Sequence, residues 1–304
     1  MAERMPKNIN ESFFHGKKFP PENEVILLFR GFYTAASGMI AQQRRTEILT
    51  NNLANVSTPG YKADETVLRA FPEMLIQRLE NQALPWTADK RLPRLSYVGP
   101  LNTGAYVQET IPRFQQGDLE ETGFSTDMAL VNINMPENEA GFQGTVFFTL
   151  ENPAGGILYT RNGNFTLDGA GYLTNAYGLY VLDDQGNRIR LDSDRFQVDE
   201  DGWMIQDGAP VARIGVAFAE DPLALVKRED GNYQWEDGVL PSAYGQGNVS
   251  FLVKQNHIER SNVNLAETMT QLLTAYRTFE ANQKIVQAYD RSMDKAVNEI
   301  GRIG

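Results

Sequence analysis

The sequence predicts an α+β chain, with N- and C-terminal helices pairing as a coiled-coil domain and a central, mainly antiparallel β domain between them. Three observations carry that prediction. The stretch from Asn264 to Ile303 holds an almost unbroken apolar heptad seam. A second, weaker seam runs from Tyr33 to Val56. Between them, acidic glycine turns recur at Asp168-Gly169-Ala170-Gly171, Asp184-Gln185-Gly186-Asn187 and Asp199-Glu200-Asp201-Gly202. Gly171, Gly186 and Gly202 are 15 and then 16 residues apart, the spacing of a run of hairpins.

Residues 1–30 read as an irregular N-terminal extension, because Pro6, Gly16, Pro20 and Pro21 interrupt any helix and no apolar period shows. Residues 31–62 form the first half of the helical domain. Ala35, Met39, Gln42, Thr46, Leu49, Leu53 and Val56 step by four and three, and Ser57-Thr58-Pro59-Gly60 ends the helix. Residues 63–116 read as a mixed, extended linker. Within it Val67, Phe71, Met74, Leu75 and Leu79 predict a short helix over Glu65–Asn81, and Pro85, Pro93, Pro100 and Pro112 mark extended chain.

Residues 117–257 read as the β domain, with strands expected at Thr145–Leu150, Ile157–Thr160, Tyr180–Leu182 and Val211–Phe218. Residues 258–304 return to the helical domain. Asn264 is placed to cap the last helix, and Glu267 to complete a capping box. The seam then runs Leu265, Met269, Leu272, Tyr276, Phe279, Gln283, Val286, Asp290, Met293, Val297, Ile300. A period of 3.5 held that long predicts a left-handed coiled coil.

The 304 residues suffice for a full core, and the net charge of −11 argues against nucleic acid and anionic membrane as partners. The acidity is uneven: residues 63–260 carry 15 basic and 29 acidic side chains, whereas residues 261–304 carry five of each. Near-neutral ends let helices pack without strong repulsion. Cysteine is absent, which excludes disulfides and thiolate metal sites. No run approaches the ~20 apolar residues of a membrane span. Val25–Phe29 is too short for the apolar region of a cleavable signal peptide.

No constellation predicts catalysis, a metal or a cofactor. Ser292-Met293-Asp294-Lys295 spells the S-x-x-K of penicillin-binding enzymes, but Met293 belongs to the heptad seam and no companion motif accompanies it. The turns around Asp199 and Asp201 lack the spacing of a calcium loop. Glu120 and Glu121 are adjacent, so on a strand they point to opposite faces. The only histidines are His15 and His257. Asn51, Asn52 and Asn55 fit a helix C-terminus as well as a contact between subunits, and both readings stay open.

Leu49-Thr50-Asn51-Asn52-Leu53-Ala54-Asn55-Val56-Ser57-Thr58-Pro59-Gly60-Tyr61-Lys62, with Ser37-Gly38-Met39 ahead of it, resembles the N-terminal signature of the bacterial flagellar rod and hook proteins. Ser261-Asn262-Val263-Asn264-Leu265, Ala275-Tyr276-Arg277 and Phe279-Glu280-Ala281-Asn282 resemble that family's other end. Gly117-Asp118-Leu119-Glu120-Glu121-Thr122-Gly123 and Tyr159-Thr160-Arg161-Asn162-Gly163-Asn164-Phe165 resemble its middle. The resemblance covers roughly residues 31–304 and is nearest to the distal-rod-type proteins of Gram-positive bacteria. Two departures stand out. Asn132–Gly144 looks like an insertion ahead of Phe147-Phe148. Some 27 residues precede Leu28-Phe29-Arg30-Gly31 where the family's helix begins near the start, so the expected native start is Leu28, against a genuine extension.

The resemblance implies a non-enzymatic axial subunit of the flagellar basal body, of distal rod type, that carries torque from motor to hook. Its implied partners are further copies of itself in a helical array, neighbouring rod and hook proteins, and the flagellar type III export apparatus. Export would need no cleavable signal. Joined to the seams, it implies an assembly interface on Met39, Leu49, Asn51, Asn52, Leu53, Asn55 and Val56 of the first helix. On the last helix the interface would use Leu265, Met269, Leu272, Tyr276, Phe279, Asn282, Val286, Met293, Val297 and Ile300. The alternatives are a hook or proximal rod protein of the same family, or an exported cell-wall-binding or cell-wall-active β-domain protein.

Overall fold

The computed structural model describes residues 22–72, 74–84, 87–139 and 141–301, and their side chains except at 22–30, 74–101, 296 and 299–301. Helix α1 spans Glu22–Ala54. Residues 22–30, expected to be irregular, are therefore helical. No proline falls within Glu22–Ala54, and Gly31 costs a helix interior only about 1 kcal/mol against Ala. The rest of the expected extension, residues 1–21, lies outside the described residues.

Four strands follow: β1 (Asp64–Ala70), β2 (Met74–Leu84), β3 (Thr87–Leu101) and β4 (Ala105–Pro112). β1 pairs with β4, and β2 with β3. The helix expected over Glu65–Asn81 does not form. Pro72 sits in its middle, where it would remove a backbone donor and clash with the preceding turn. Strand ladders with partners further along the chain satisfy the backbone instead.

The next strands are β5 (Leu119–Glu121), β6 (Met128–Asn134), β7 (Thr145–Glu151), β8 (Ile157–Thr160), β9 (Phe165–Leu167) and β10 (Leu173–Asn175). Then come β11 (Gln197–Val198), β12 (Trp203–Gln206), β13 (Ala209–Arg213), β14 (Val216–Ala219), β15 (Val226–Lys227), β16 (Tyr233–Gln234), β17 (Ser250–Gln255) and β18 (His257–Glu259), before helix α2 (Leu265–Gly301). A five-stranded antiparallel sheet runs in the order β14-β7-β8-β16-β15. β17 pairs with β6 and β18 with β5, so the segment entering α2 is stitched to the start of the β region.

The recurring acidic turns are Asx turns. Asp168 Oδ1 accepts from the Ala170 and Tyr172 N–H groups, and Asp183 Oδ1 from those of Gln185 and Asn187. The second turn thus starts at Asp183, one residue before the expected Asp184. Val211–Phe218 is two strands rather than one. Gly215 lies between them because any Cβ there would overlap the Thr149 hydroxyl. Tyr180–Leu182 makes isolated bridges only.

The chain divides into two compact units. One holds Arg45–Val67 and Gln108–Thr274. Its core stacks Phe148, Leu150, Leu158, Leu173, Val181 and Ile214, all fully buried. A second cluster sits around Phe147, Tyr159 and Tyr233. The segment Asn132–Gly144 begins in β6 and carries a Glu137–Gln143 bridge, with Asn138 Oδ1 accepting from the Phe142 N–H.

The other unit holds the described residues up to Arg44, Leu68–Val107, and those from Ala275. Here α1 and α2 touch antiparallel: a Cβ on Gly31 would overlap the Tyr289 hydroxyl, and one on Gly38 would stand 3.0 Å from Asn282 Nδ2. The two glycines are one heptad apart, and so are their two partners. Ala35, Ala41 and Ala275 are buried.

Candidate functional site

Two surfaces are candidates: the outer face of α2, and the junction where the chain leaves α1 and enters α2. On α2 the expected seam splits. Leu272, Phe279, Asn282, Val286 and Met293 are half-buried, while Leu265, Met269, Tyr276 and Val297 stand 51%, 44%, 54% and 70% exposed. Thr268 and Ala275 are buried. The inward stripe therefore keeps Leu272, Phe279, Val286 and Met293 but replaces Met269, Tyr276 and Gln283 by the residue before each, and Leu273 joins the exposed set. The side chain of Ile300 lies outside those described. The cap is as expected on one side: the Glu267 N–H donates to Asn264 Oδ1. The Glu267 carboxylate accepts from Gln271 Nε2.

On α1, Met39 and Leu53 are half-buried and Asn51 is exposed, whereas Leu49 and Asn52 are buried; Asn55 and Val56, half-buried, lie in the turn just after the helix rather than on it. Asn52 turns into its own chain. Its Nδ2 donates to the Asp64 carbonyl, and its Oδ1 accepts from the Asp64 N–H and the Tyr61 hydroxyl. It anchors β1 to the end of α1 and presents almost no surface to a neighbour.

The junction itself is a charged cluster that sequence reasoning missed. Lys62, Arg161 and Glu259 have side chains no more than 1% exposed. Glu259 Oε1 accepts from Lys62 Nζ at 2.5 Å and from the Gly117 N–H at 2.9 Å. Arg161 Nε donates to Glu259 Oε2 at 2.8 Å, and Nη2 lies 2.7 Å from the same oxygen. The other guanidinium hydrogens go to Asn132 Oδ1 and to the Val146 and Leu130 carbonyls. Arg161 thus donates four hydrogen bonds and Glu259 accepts three, with the Nη2–Oε2 ion pair beside them.

Backbone laces the same two segments together. The Gly60 N–H donates to the Glu259 carbonyl at 2.7 Å and the Asn262 N–H to that of Tyr61 at 3.3 Å. The Ala63 N–H donates to Asn262 Oδ1 at 2.8 Å. Gly60 holds a positive φ of 68°, and a Cβ on it would overlap the Arg161–Asn162 peptide, so only glycine fits. Lys227 adds a cation over the Tyr61 ring and an ion pair with Asp64.

Electrostatics follow from two cations sharing one anion. Burial and then the Arg161 charge push the Lys62 ammonium down to about 8, against the pull of Glu259. Burial works to raise the Glu259 pKa, but Arg161, Lys62 and the Gly117 N–H together hold it below the ordinary carboxylate value. Burial, then the Asp64 charge, raises the Tyr61 phenol. Every polar group here is committed to holding chain segments together.

A cavity of about 270 Å³ lies beside the junction, lined by residues of the α1 end, β1 and the first turns of α2, among them Leu49, Asn52, Asp64, Asn262 and Glu267. Lys62 and Arg161 were legible as members of motifs. Glu259 was not, because the turn at Asn256 between β17 and β18 interrupts the strand alternation that runs up to it.

Three segments of the chain match known families. Residues 32–62 match flagella basal body rod proteins, residues 141–208 the flagellar hook protein FlgE/F/G D1 domain, and residues 254–299 the flagellar basal body rod FlgEFG protein C-terminal region. Each matched segment supplies one member of the buried triad. The chain is 43% identical over 280 residues to the flagellar hook-basal body complex protein FlhO of Bacillus subtilis (strain 168), covering 91% of this chain and 100% of that one. It is 28% identical over 284 residues to the flagellar basal-body rod protein FlgG of Borreliella burgdorferi, covering 89% and 98%. It is 27% identical over 290 residues to FlgG of Bacillus subtilis (strain 168), covering 89% and 99%. With its two terminal segments and its β region all matched in order, the chain belongs to the flagellar basal-body rod and hook protein family.

Proposed function

We propose that this chain is an axial structural subunit of the flagellar basal body, of distal rod type. It polymerises through its terminal helices and passes torque from motor to hook. One observation carries the reading: Leu265, Met269, Leu273 and Tyr276 leave a stripe of apolar surface uncovered along α2. Burying such surface is worth roughly 25 cal/mol per Å², and a second copy supplies the cover. A head-to-tail contact that does not close then builds a helical tube. In the tube, α1 and α2 of neighbouring copies complete a coiled coil whose interface uses the exposed and half-buried seam residues. Leu49 and Asn52 serve it from behind, by fixing the α1 end.

Further partners are adjoining rod and hook proteins and the flagellar type III export apparatus. The role is structural rather than catalytic. Electron microscopy of basal bodies from a strain lacking this chain tests the assignment, with swimming scored alongside. Truncated rods without hooks are the expected result. Complete rods lacking only hooks would move the chain to the hook, and intact motile flagella would overturn the reading.

A further inference from the structure

Three chain segments far apart in sequence each bring one charge to a dry site. Lys62 lies 197 residues from Glu259, and Arg161 lies 98 residues from it. Among the described residues, Glu259 is the only carboxylate ion-paired with either cation. Lys62 is the last residue of the N-terminal signature, and Glu259 ends β18, the last strand before α2 begins at Leu265. The Gly60–Glu259 and Tyr61–Asn262 backbone bonds join the same two segments.

A charged cluster is an odd choice if the only need is cohesion. Apolar side chains of similar volume hold a core equally well, and they do so piecemeal, each contact favourable on its own. A shared counter-ion behaves differently. With Glu259 absent, closing the β unit would bury two cations against carbonyls alone, and a charge stripped of water without an opposite partner is strongly unfavourable. With Glu259 seated, the same closure is favourable.

We propose that Glu259 is an interlock between the two chain ends: the β unit closes over Lys62 and Arg161 only when the C-terminal strand carrying Glu259 is seated, so the exit of α1 and the entry of α2 become ordered together or not at all. Glu259 is then a positioning residue that touches no partner. In a chain delivered from its N-terminus, closure waits for residue 259. A subunit cannot present one seated helix end without the other. This last consequence for assembly rests on the rod reading above; the interlock itself does not.

Amide hydrogen exchange on the isolated full chain tests it, because coupling between two sites must be reciprocal. Lys62→Met leaves one cation and one anion at the site, so the chain still folds. It is expected to lower protection about tenfold or more (roughly 1.4 kcal/mol at 25 °C) in β18 and the first turn of α2, segments to which Lys62 does not belong. Glu259→Gln is expected to expose Gly60–Lys62, β6 and β8 in turn. Should Glu259→Gln fail to fold, Lys62→Met carries the test alone. Loosening confined to each variant's own strand, with β18 in Lys62→Met protected as in the unaltered chain, would overturn the interlock. Exchange is read without any flagellum, so a deletion strain that swims normally would remove the rod reading and leave this result standing.

Discussion

At the junction, groups that prefer water are buried: Lys62, Arg161 and Glu259 have side chains at most 1% exposed. On the outer face of α2, groups that avoid water stand in it: Leu265, Met269, Leu273 and Tyr276 are between 44% and 57% exposed. The junction is complete within one chain, because both cations are ion-paired with Glu259 and every nitrogen of Arg161 and both oxygens of Glu259 are hydrogen-bonded. The α2 face is incomplete, because apolar area in water is a standing cost. One region specifies how the subunit is built, and the other what it must meet. Substitutions should therefore divide cleanly: junction variants lose stability, and α2-face variants lose the assembly.

The largest break is Glu259→Gln. Removing the one anion leaves two buried cations facing each other, and breaking a buried ion pair in this way costs about 3–5 kcal/mol. Calorimetry of the isolated chain should show the β unit melting at markedly lower temperature. Wild-type melting would mean that water reaches the site and that the burial is illusory.

Gly60→Ala comes next. Its φ of 68° disfavours any side chain, at about 1–3 kcal/mol, and the added Cβ meets the Arg161–Asn162 peptide. Urea unfolding should show a lower midpoint, together with loosening of the Gly60–Glu259 bond.

These two residues also show what a sequence discloses. Gly60 was legible, because Pro59-Gly60 announces a turn through local chemistry. The hairpin turns were legible for the same reason, since Asp168, Asp183 and Asp199 each bond backbone within four residues. The α2 cap at Asn264 is local too. Glu259 was not legible, because its partners lie 98 and 197 residues away and nothing near it marks it as buried. The segment 65–81 misled for a related reason. Its apolar spacing mimicked a helix face, while the strand partners that decide its structure come later in the chain. Pro72 was the local sign against a helix. The α2 seam was legible at Leu272, Phe279, Val286 and Met293 but not at the alternate positions, where Asn282 and Tyr289 face α1 because Gly31 and Gly38 leave room for them.

A pH series sharpens the junction side. The Lys62 pKa in the folded chain is about 8, below its ordinary 10.5. Between those values the unfolded chain holds a proton that the folded chain has released, so this group makes stability rise with pH there. Glu259 works at the other end. Its folded pKa is depressed, so its contribution is present above the ordinary carboxylate value and is lost as pH falls through the folded one. Urea midpoints from pH 8 to 10.5 should climb less in Lys62→Met than in wild type. Equal slopes would assign the rise to other groups.

The smallest effect on stability, and the sharpest on assembly, belongs to the α2 face. Leu272→Asp is a poor probe, since Leu272 is half-buried in the free subunit and the variant would disturb fold and interface together. Met269→Asp is cleaner. Met269 is 44% exposed, so the substitution should change the unfolding free energy by no more than about 0.5 kcal/mol. The same carboxylate placed in a closed seam between copies would be buried without a partner, which an interface does not tolerate. Met269→Asp should therefore melt like wild type and fail to build rods, seen as immotile cells with truncated basal bodies. Asp184→Lys, on an exposed hairpin turn, is the matched control and should leave both melting and swimming unchanged. If Met269→Asp cells swim as well as the control, the stripe is not the assembly surface, and the cover for α2 must be sought on its other side.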